Sequence, residues 1–343
     1  MNPRHRRLLI PGLLIALIVV VVVASLADRA GAATAEPEVV LTDPRITESS
    51  GLAVSAEHDD LAYTVNDSGN AAEVFAVDLS TGEVAGVTTV RADFRDVEAL
   101  ALRDGTLWIG DVGDNRRERD DLALYAIDEP GRTTATVEPR RFAVSLEGGP
   151  ADVETLLAPP GSDLLQVVTK TVSDATVLTL AEGDLDASGS TEFEATTSGL
   201  PPLVTDGAYS PDGSRVALLS YGSLWSMVPA DWSFVGSGSL PPLEQSETVA
   251  FVSDDEVLVG SEGEASPLYR LDLPVSGAAA DRVATVATST PEPTPAAEPA
   301  ATSSEESEGF AIGLRTLVVG GIGLAAVLAL AVLVMARRGR SRA

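Results

Sequence analysis

The sequence predicts an all-β fold, a β-propeller of five four-stranded blades, and three observations carry that expectation. Short apolar strands rich in branched and aromatic residues alternate with clusters of Gly, Asp, Asn and Pro that turn the chain. One three-strand pattern returns at intervals of about 40 to 55 residues. Each copy is too small to bury its own apolar faces, and stacking the copies in a closed ring covers them all.

The clearest copy lies in Asp96–Asp128, with strands at Val97–Leu102, Thr106–Gly110 and Leu122–Ile127 and the turn Arg103-Asp-Gly between the first two. Aligned on it, the first strands begin Ser50-Gly-Leu-Ala-Val, Glu98-Ala-Leu-Ala-Leu, Glu154-Thr-Leu-Leu-Ala, Asp206-Gly-Ala-Tyr-Ser and Glu247-Thr-Val-Ala-Phe. The second strands are Leu61–Asn66, Thr106–Asp111, Leu164–Lys170, Arg215–Tyr221 and Glu256–Glu262. The third are Glu73–Leu79, Leu122–Asp128, Thr176–Ala181, Ser223–Val228 and Pro267–Leu273. A more variable fourth strand follows, as at Glu83–Val90 and Thr191–Ala195. The fifth unit has no clear fourth strand of its own, and Glu38–Leu41 or Arg282–Ala287 is expected to supply it. Six blades would need a further unit, and a β-sandwich leaves the repeat unexplained.

The ends set the expected topology. Arg4, Arg6 and Arg7 precede an apolar run from Leu8 to Leu26, and Ala33-Thr-Ala offers a small-residue cleavage site, so residues 1–35 read as a signal peptide or an uncleaved anchor. The propeller ectodomain is expected over 36–275. Residues 276–313, rich in Ala, Pro, Thr, Ser and Glu, read as an extended stalk that buries no core. Residues 314–336, uncharged from Thr316 to Ala336, are long enough for a transmembrane helix. The arginines of the tail, 337–343, mark its cytoplasmic side. The expected location is the cell membrane, single-pass, with the N-terminal domain exported.

Composition narrows the chemistry. The 343 residues include no cysteine, which removes disulfides, thiolate metal sites and cysteine nucleophiles. Of two histidines, His5 lies in the basic N-terminus and His58 in the turn-like Glu57-His-Asp-Asp. Residues 36–313 carry 50 acids and 14 bases, a net of −36. No basic patch exists to neutralise phosphates, so nucleic acid is not an expected partner. Cations or a basic partner suit the field. No P-loop, dinucleotide fingerprint, G-x-S-x-G elbow or H-E-x-x-H is present.

In an antiparallel blade the start of strand one and the end of strand two share a rim. That rule groups Ser50 with Asn66 and Asp67, Glu98 with Asp111, Glu154 with Lys170, Asp206 with Tyr221, and Glu247 with Glu262. Strand one is innermost, so Glu98, Glu154, Asp206 and Glu247 are expected around the central channel, with Asp96 and Asp152 two residues before two of them on the same face. Converging carboxylates raise one another's pKa or recruit a cation, and oxygen ligands suit calcium or magnesium. Asp96, Glu98, Asp111, Asp114 and Asn115 are the candidate metal ligands. Glu98, Glu154, Lys170, Asp206 and Glu247 are the candidate ligand-binding residues. Each stands against a structural reading: carboxylates at strand ends also cap inner turns, Asp111-Val-Gly-Asp-Asn and Asn66-Asp-Ser-Gly-Asn are good turns, and Lys170 can simply pair with Glu154. Trp108, Trp225, Tyr125, Tyr269 and Phe75 read as packing between blades.

Two motifs carry a resemblance. Ser210-Pro-Asp-Gly-Ser-Arg-Val-Ala resembles the repeat signature of Tol-type and WD40-like bacterial propellers. Asp111-Val-Gly-Asp-Asn-Arg, preceded by Asp96-Val-Glu-Ala-Leu-Ala, resembles a family of poorly characterised exported bacterial propellers. The resemblance covers roughly residues 40–273 and implies blade geometry without a transferable activity. Calcium-dependent propeller phytases share the general architecture, but their phosphate-binding lysines and arginines are not evident here. The expected function is a membrane-tethered, extracytoplasmic propeller that binds a ligand or protein partner at an acidic mouth, with calcium as the expected cation. The alternative is a cation-dependent hydrolase of phosphoesters or esters, with the metal on Glu98 or Asp111 and Glu154 as general base. A structural envelope protein that docks others on its outer face is the third reading.

Overall fold

A computed structural model describes residues 36–276; the expected signal segment, most of the stalk, the transmembrane helix and the tail lie outside them. Among the described residues no helix is long and apolar enough to cross a membrane.

The described chain is all-β and propeller-like, its strands interrupted by a single 3₁₀ turn at Glu182–Asp184. It opens with the short β1 (Val39–Val40) and a first antiparallel set, β2 (Ser49–Val54), β3 (Leu61–Asn66), β4 (Glu73–Asp78) and β5 (Val84–Val90). The second set runs β6 (Ala99–Arg103), β7 (Thr106–Asp111), β8 (Ala123–Asp128) and, after the short β9 (Ala135–Val137), β10 (Arg140–Leu146). The third is β11 (Val153–Leu157), β12 (Leu164–Thr169), β13 (Ala175–Ala181) and β14 (Ser190–Leu200). The fourth is β15 (Val204–Tyr209), β16 (Val216–Ser220), β17 (Ser223–Val228) and β18 (Ser233–Ser239). The last is β19 (Ser246–Phe251), β20 (Glu256–Ser261) and β21 (Pro267–Asp272). Its outer strand is β1, which pairs antiparallel with β21 in the register Val39↔Leu268. Of the two segments expected to complete this set, the N-terminal one pairs with it, and Arg282–Ala287 lies outside the described residues. Outer edges are also used: β9 pairs parallel with β5, and β10 pairs parallel with β14.

Packing explains the order. Five apolar clusters lie between neighbouring sets, one for each consecutive pair and a fifth joining the last set to the first. That fifth cluster brings Val39, Leu41 and Ile46 together with Leu52, Phe75, Leu258 and Leu268. The first strands touch in the cyclic order β2, β6, β11, β15, β19 and back to β2. Inner strands are therefore apolar on both faces, and β3, β11 and β19 are buried along their whole length. Trp108, Tyr63, Phe75 and Phe193 are fully buried side chains of the kind expected between sets. Outer strands such as β14 and β18 face water on much of their surface.

Turn chemistry matches the reading of the sequence. Asp104 and Gly105, both at positive φ, join β6 to β7 as a tight hairpin requires. In the Ser210-Pro-Asp-Gly turn, Asp212 Oδ1 accepts from Ser210 Oγ (2.7 Å) and from the Ser214 N–H (2.8 Å).

Candidate functional site

Each first strand is bulged close to its start. The register of β2 against β3 shifts at Gly51, that of β11 at Glu154, that of β15 at Thr205 and that of β19 at Glu247. The second set follows suit: the Glu98 N–H bonds the Gly110 carbonyl (3.0 Å) while Ala99 pairs with the same residue. A bulge sets two residues against one and re-aims the extra side chain. Glu98, Glu154 and Glu247 occupy it in three sets; Gly51 and Thr205 occupy it in the others.

That correction moves two expected rim positions by one residue. Asp206 stands just past the bulge and is buried, its Oδ1 accepting from the Gly207 N–H and its Oδ2 from the Val249 N–H, both at 2.7 Å. It staples the fourth set to the fifth. Ser50 precedes the bulge and its Oγ donates to the Glu98 carbonyl (3.0 Å), with Glu98 Oε2 at 3.2 Å. Gly51, at φ +71°, packs on the backbone of Ala99 and Leu100 where a side chain would collide.

The three bulge glutamates are 3 to 5 % exposed. Burial, then the charges of Asp67, Glu154, Asp96 and Glu247, pushes Glu98 up to about 10. Groups from the first, third and fifth sets thus lie near enough for their charges to act on Glu98. Asp67 and Asp96 are half-buried, and both are raised, first by burial. One carboxylate oxygen from each of Asp67, Asp96 and Glu98 lies within 4.8 Å of the other two. Such a set of hard oxygens fits a divalent cation such as calcium.

The other expected metal ligands are engaged elsewhere. Asp111 is buried and accepts the N–H groups of Arg95 (3.1 Å) and Asp96 (3.0 Å) and the Arg119 guanidinium (2.7 Å). Asp114 accepts the N–H groups of Glu118 (3.0 Å) and Arg119 (2.9 Å), and its own N–H donates to Asp152 in the third set (3.1 Å). Asn115 is exposed. These contacts fix the loop after β7, whose Gly113 lies so close to Asp96 and Glu98 that a Cβ would touch both. The sequence groups Asp67 with this rim but not with the metal ligands. Its place depends on the first and second sets meeting, a contact that local pattern does not encode.

Lys170 stands beside Glu154 as the pairing rule expected. Its Nζ donates to Glu154 Oε1 (2.5 Å) and to the Tyr221 hydroxyl (2.8 Å), and lies 5.0 Å from the centre of the Tyr221 ring. Nζ is also 2.5 Å from Glu154 Oε2, but that oxygen receives no hydrogen bond of acceptable angle. Burial pushes Glu154 up to about 8 while Lys170 pulls it down and Glu247 adds to the rise. Burial works against the Lys170 ammonium, but Glu154 outweighs it and the group is raised. The two titrate as a pair.

Glu247 is pushed up to about 7, by burial first, against the pull of Lys170 and with a further push from Glu262. The folded chain thus binds this proton more tightly than the unfolded chain, where a glutamate titrates near 4.5. Its contribution to stability is present in full below that value and is lost as pH rises through about 7. Glu247 alone is expected to lower the free energy of unfolding in urea by about 1–2 kcal/mol between roughly pH 5 and 8, in addition to the losses from Glu98 and Glu154. Glu247→Gln is expected to flatten that slope, and an unchanged slope in the variant would assign it to other groups.

No protein-family model matches the chain, and no curated relative is found for it. Among solved structures it is similar to a chain in a crystal structure of a nidogen/laminin complex, 15 % identical, with 66 % of this chain and 77 % of that chain covered and a TM-score of 0.42.

Proposed function

We propose that this chain is a five-bladed propeller, closed by β1, whose acidic mouth binds a ligand or protein partner with the help of a divalent cation. In this reading Asp67, Asp96 and Glu98 hold the cation, calcium by preference, and Glu154, Lys170 and Glu247 face the ligand. The domain is exported and tethered to the cell membrane by the C-terminal apolar segment, and it does not bind nucleic acid. The observation that carries the reading is the meeting of Asp67, Asp96 and Glu98 within one coordination sphere's reach in a chain with no thiol. Carboxylates so placed repel one another unless protonated or shared with a cation.

The test is the melting of the full-length protein in detergent with excess calcium, excess magnesium or chelator. Calcium is expected to raise the midpoint selectively. At about a hundred times the Kd it adds about 2.7 kcal/mol. No shift with either cation would remove the cation from the proposal.

A second reading is a cation-dependent hydrolase of phosphoesters or esters. The Glu154–Lys170 pair favours it, because a carboxyl raised toward neutrality beside a cation site suits a general base. Turnover lost in Glu154→Gln with the calcium shift retained separates the two readings.

A further inference from the structure

The outer edge of the fourth set is unfinished. Of the long outer strands, β5 carries β9 on its far side, and β10 and β14 pair with each other; among the described residues β18 is paired only with β17. An open strand edge presents a row of unpaired N–H and C=O groups. The chain after β21 begins to cover that row. The N–H and Oγ of Ser276 both donate to the Val235 carbonyl, at 3.0 and 2.7 Å. Gly236 lies so close to Pro274 that a Cβ would collide with its carbonyl, and Pro274 also lies beside Gly238. Rising residue numbers after β21 thus meet falling numbers in β18, an antiparallel approach. The residues that follow Ser276 are aimed at Phe234 and Ser233.

At that point the edge opens into a groove of about 530 Å³ between the third and fourth sets, walled by Pro159, Pro160, Tyr209, Val228, Pro229 and Phe234. Among the described residues no carboxylate lines it, although the domain is strongly acidic. Four large apolar side chains are exposed among the described residues, and two of them, Phe234 (53 %) and Val275 (44 %), lie along this edge. An apolar patch beside an open edge suits an added strand, which satisfies the backbone and covers the side chains together.

We propose that the chain's own segment Arg282–Ala287 is that strand, continuing along β18 from Ser276 and seating Val283 or Val286 in the groove over Phe234. Val283, Thr285 and Val286 give it the branched side chains of a strand, and the place beside β21 for which it competes is held by β1. The small residues Gly277-Ala-Ala-Ala lead into it and fit a close approach to the edge. In an extended chain the six steps from Ser276 to Arg282 span about 20 Å, enough to pass Phe234 and Ser233 and enter the groove. Because Ser276 is already bound at the edge, the segment is held at high effective concentration, an advantage no separate partner has. The inference uses no residue of the mouth and stands whether or not a cation binds there.

Arg282 is the single trypsin site between Arg270 and Arg315, so limited trypsin digestion of the full-length protein in detergent reads the docking directly. Cleavage follows the population in which the segment is released. The fragment ending at Arg282, followed by mass, is expected to appear slowly in the parent and about tenfold or more faster in Phe234→Asp and in Val286→Asp. Phe234→Leu, which keeps the apolar contact, is expected to retain the slow cleavage. Cleavage in the parent as fast as in the two Asp variants, or equally slow in all three, overturns the inference. Protection lost on dilution assigns the groove to a second copy of the chain and overturns it as well. Phe234 is exposed and Val286 lies beyond the described strands, so neither replacement threatens the fold, and an unchanged melting midpoint confirms this on the same samples.

Discussion

Replacing Glu98 by glutamine is expected to abolish the calcium-induced rise in melting temperature while leaving the metal-free protein at least as stable as the parent. Glu98 is 5 % exposed and lies among four other acidic groups, so without a cation its carboxyl holds a proton at neutral pH. Glutamine keeps that neutral shape and its contact with Ser50, and removes the charge a cation needs. The full linkage gain of about 2.7 kcal/mol at a hundredfold excess over the Kd is therefore lost. Because binding displaces the Glu98 proton, calcium affinity in the parent is expected to rise with pH. Asp96→Asn is the companion variant, reaching the same corner from a half-buried position. An undiminished calcium shift in both variants would place the cation elsewhere.

The second large effect concerns the loop that walls the site. Arg119 is 8 % exposed and donates to Asp111 Oδ1 (2.7 Å), Asp121 Oδ1 (3.0 Å) and the Gly113 carbonyl (2.7 Å). Arg119→Met fills the space but leaves the Asp111 carboxylate, 2 % exposed, with only two backbone N–H groups. Breaking one partner of a buried pair costs about 3–5 kcal/mol. Urea unfolding is expected to show that loss, and Arg119→Met combined with Asp111→Asn to recover much of it, because the orphaned charge is gone. With Gly113 no longer held over Asp96 and Glu98, calcium affinity falls too. A stability loss within the scatter of surface substitutions would mean that Asp111 and Arg119 are not a buried pair in solution.

Much of this molecule is legible along the chain. Every first, second and third strand of the repeat is local apolar alternation ended by a turn residue, and strand formation depends on neighbours two residues apart. The strands expected at Leu61–Asn66, Thr106–Asp111 and Glu256–Glu262 stand at those places with boundaries within a residue. The rim rule also holds for Glu154 with Lys170, since both lie on one hairpin, and the register of a hairpin is set by its own turn.

Elsewhere the sequence left more than one answer. Either Glu38–Leu41 or Arg282–Ala287 suited the last set; β1 pairs with β21, and Val39 and Leu41 pack in one cluster with Phe75 and Leu258. The bulges were not visible, because one added residue changes no composition and no hydropathy, yet it turns every following side chain to the other face. Ser50 and Asp206 therefore read as rim residues, whereas the extra position belongs to Gly51 and Thr205. Asp111 and Asp114 read as ligands for a different reason. Whether a carboxylate takes a cation or a backbone N–H depends on which donor the fold brings to it, and those donors come from Arg119 and from the next turn of the loop.

The sequence by itself determined the strands, their order, the acidic field and the absence of thiol chemistry, because these follow from local pattern and from composition. Only the tertiary structure decided that Asp67 joins Asp96 and Glu98, that Asp206 is a staple and that Tyr221 roofs Lys170. Each of those facts is a meeting of neighbouring sets, where burial and neighbouring charge, both properties of the assembled fold, fix what a carboxyl or an ammonium can do.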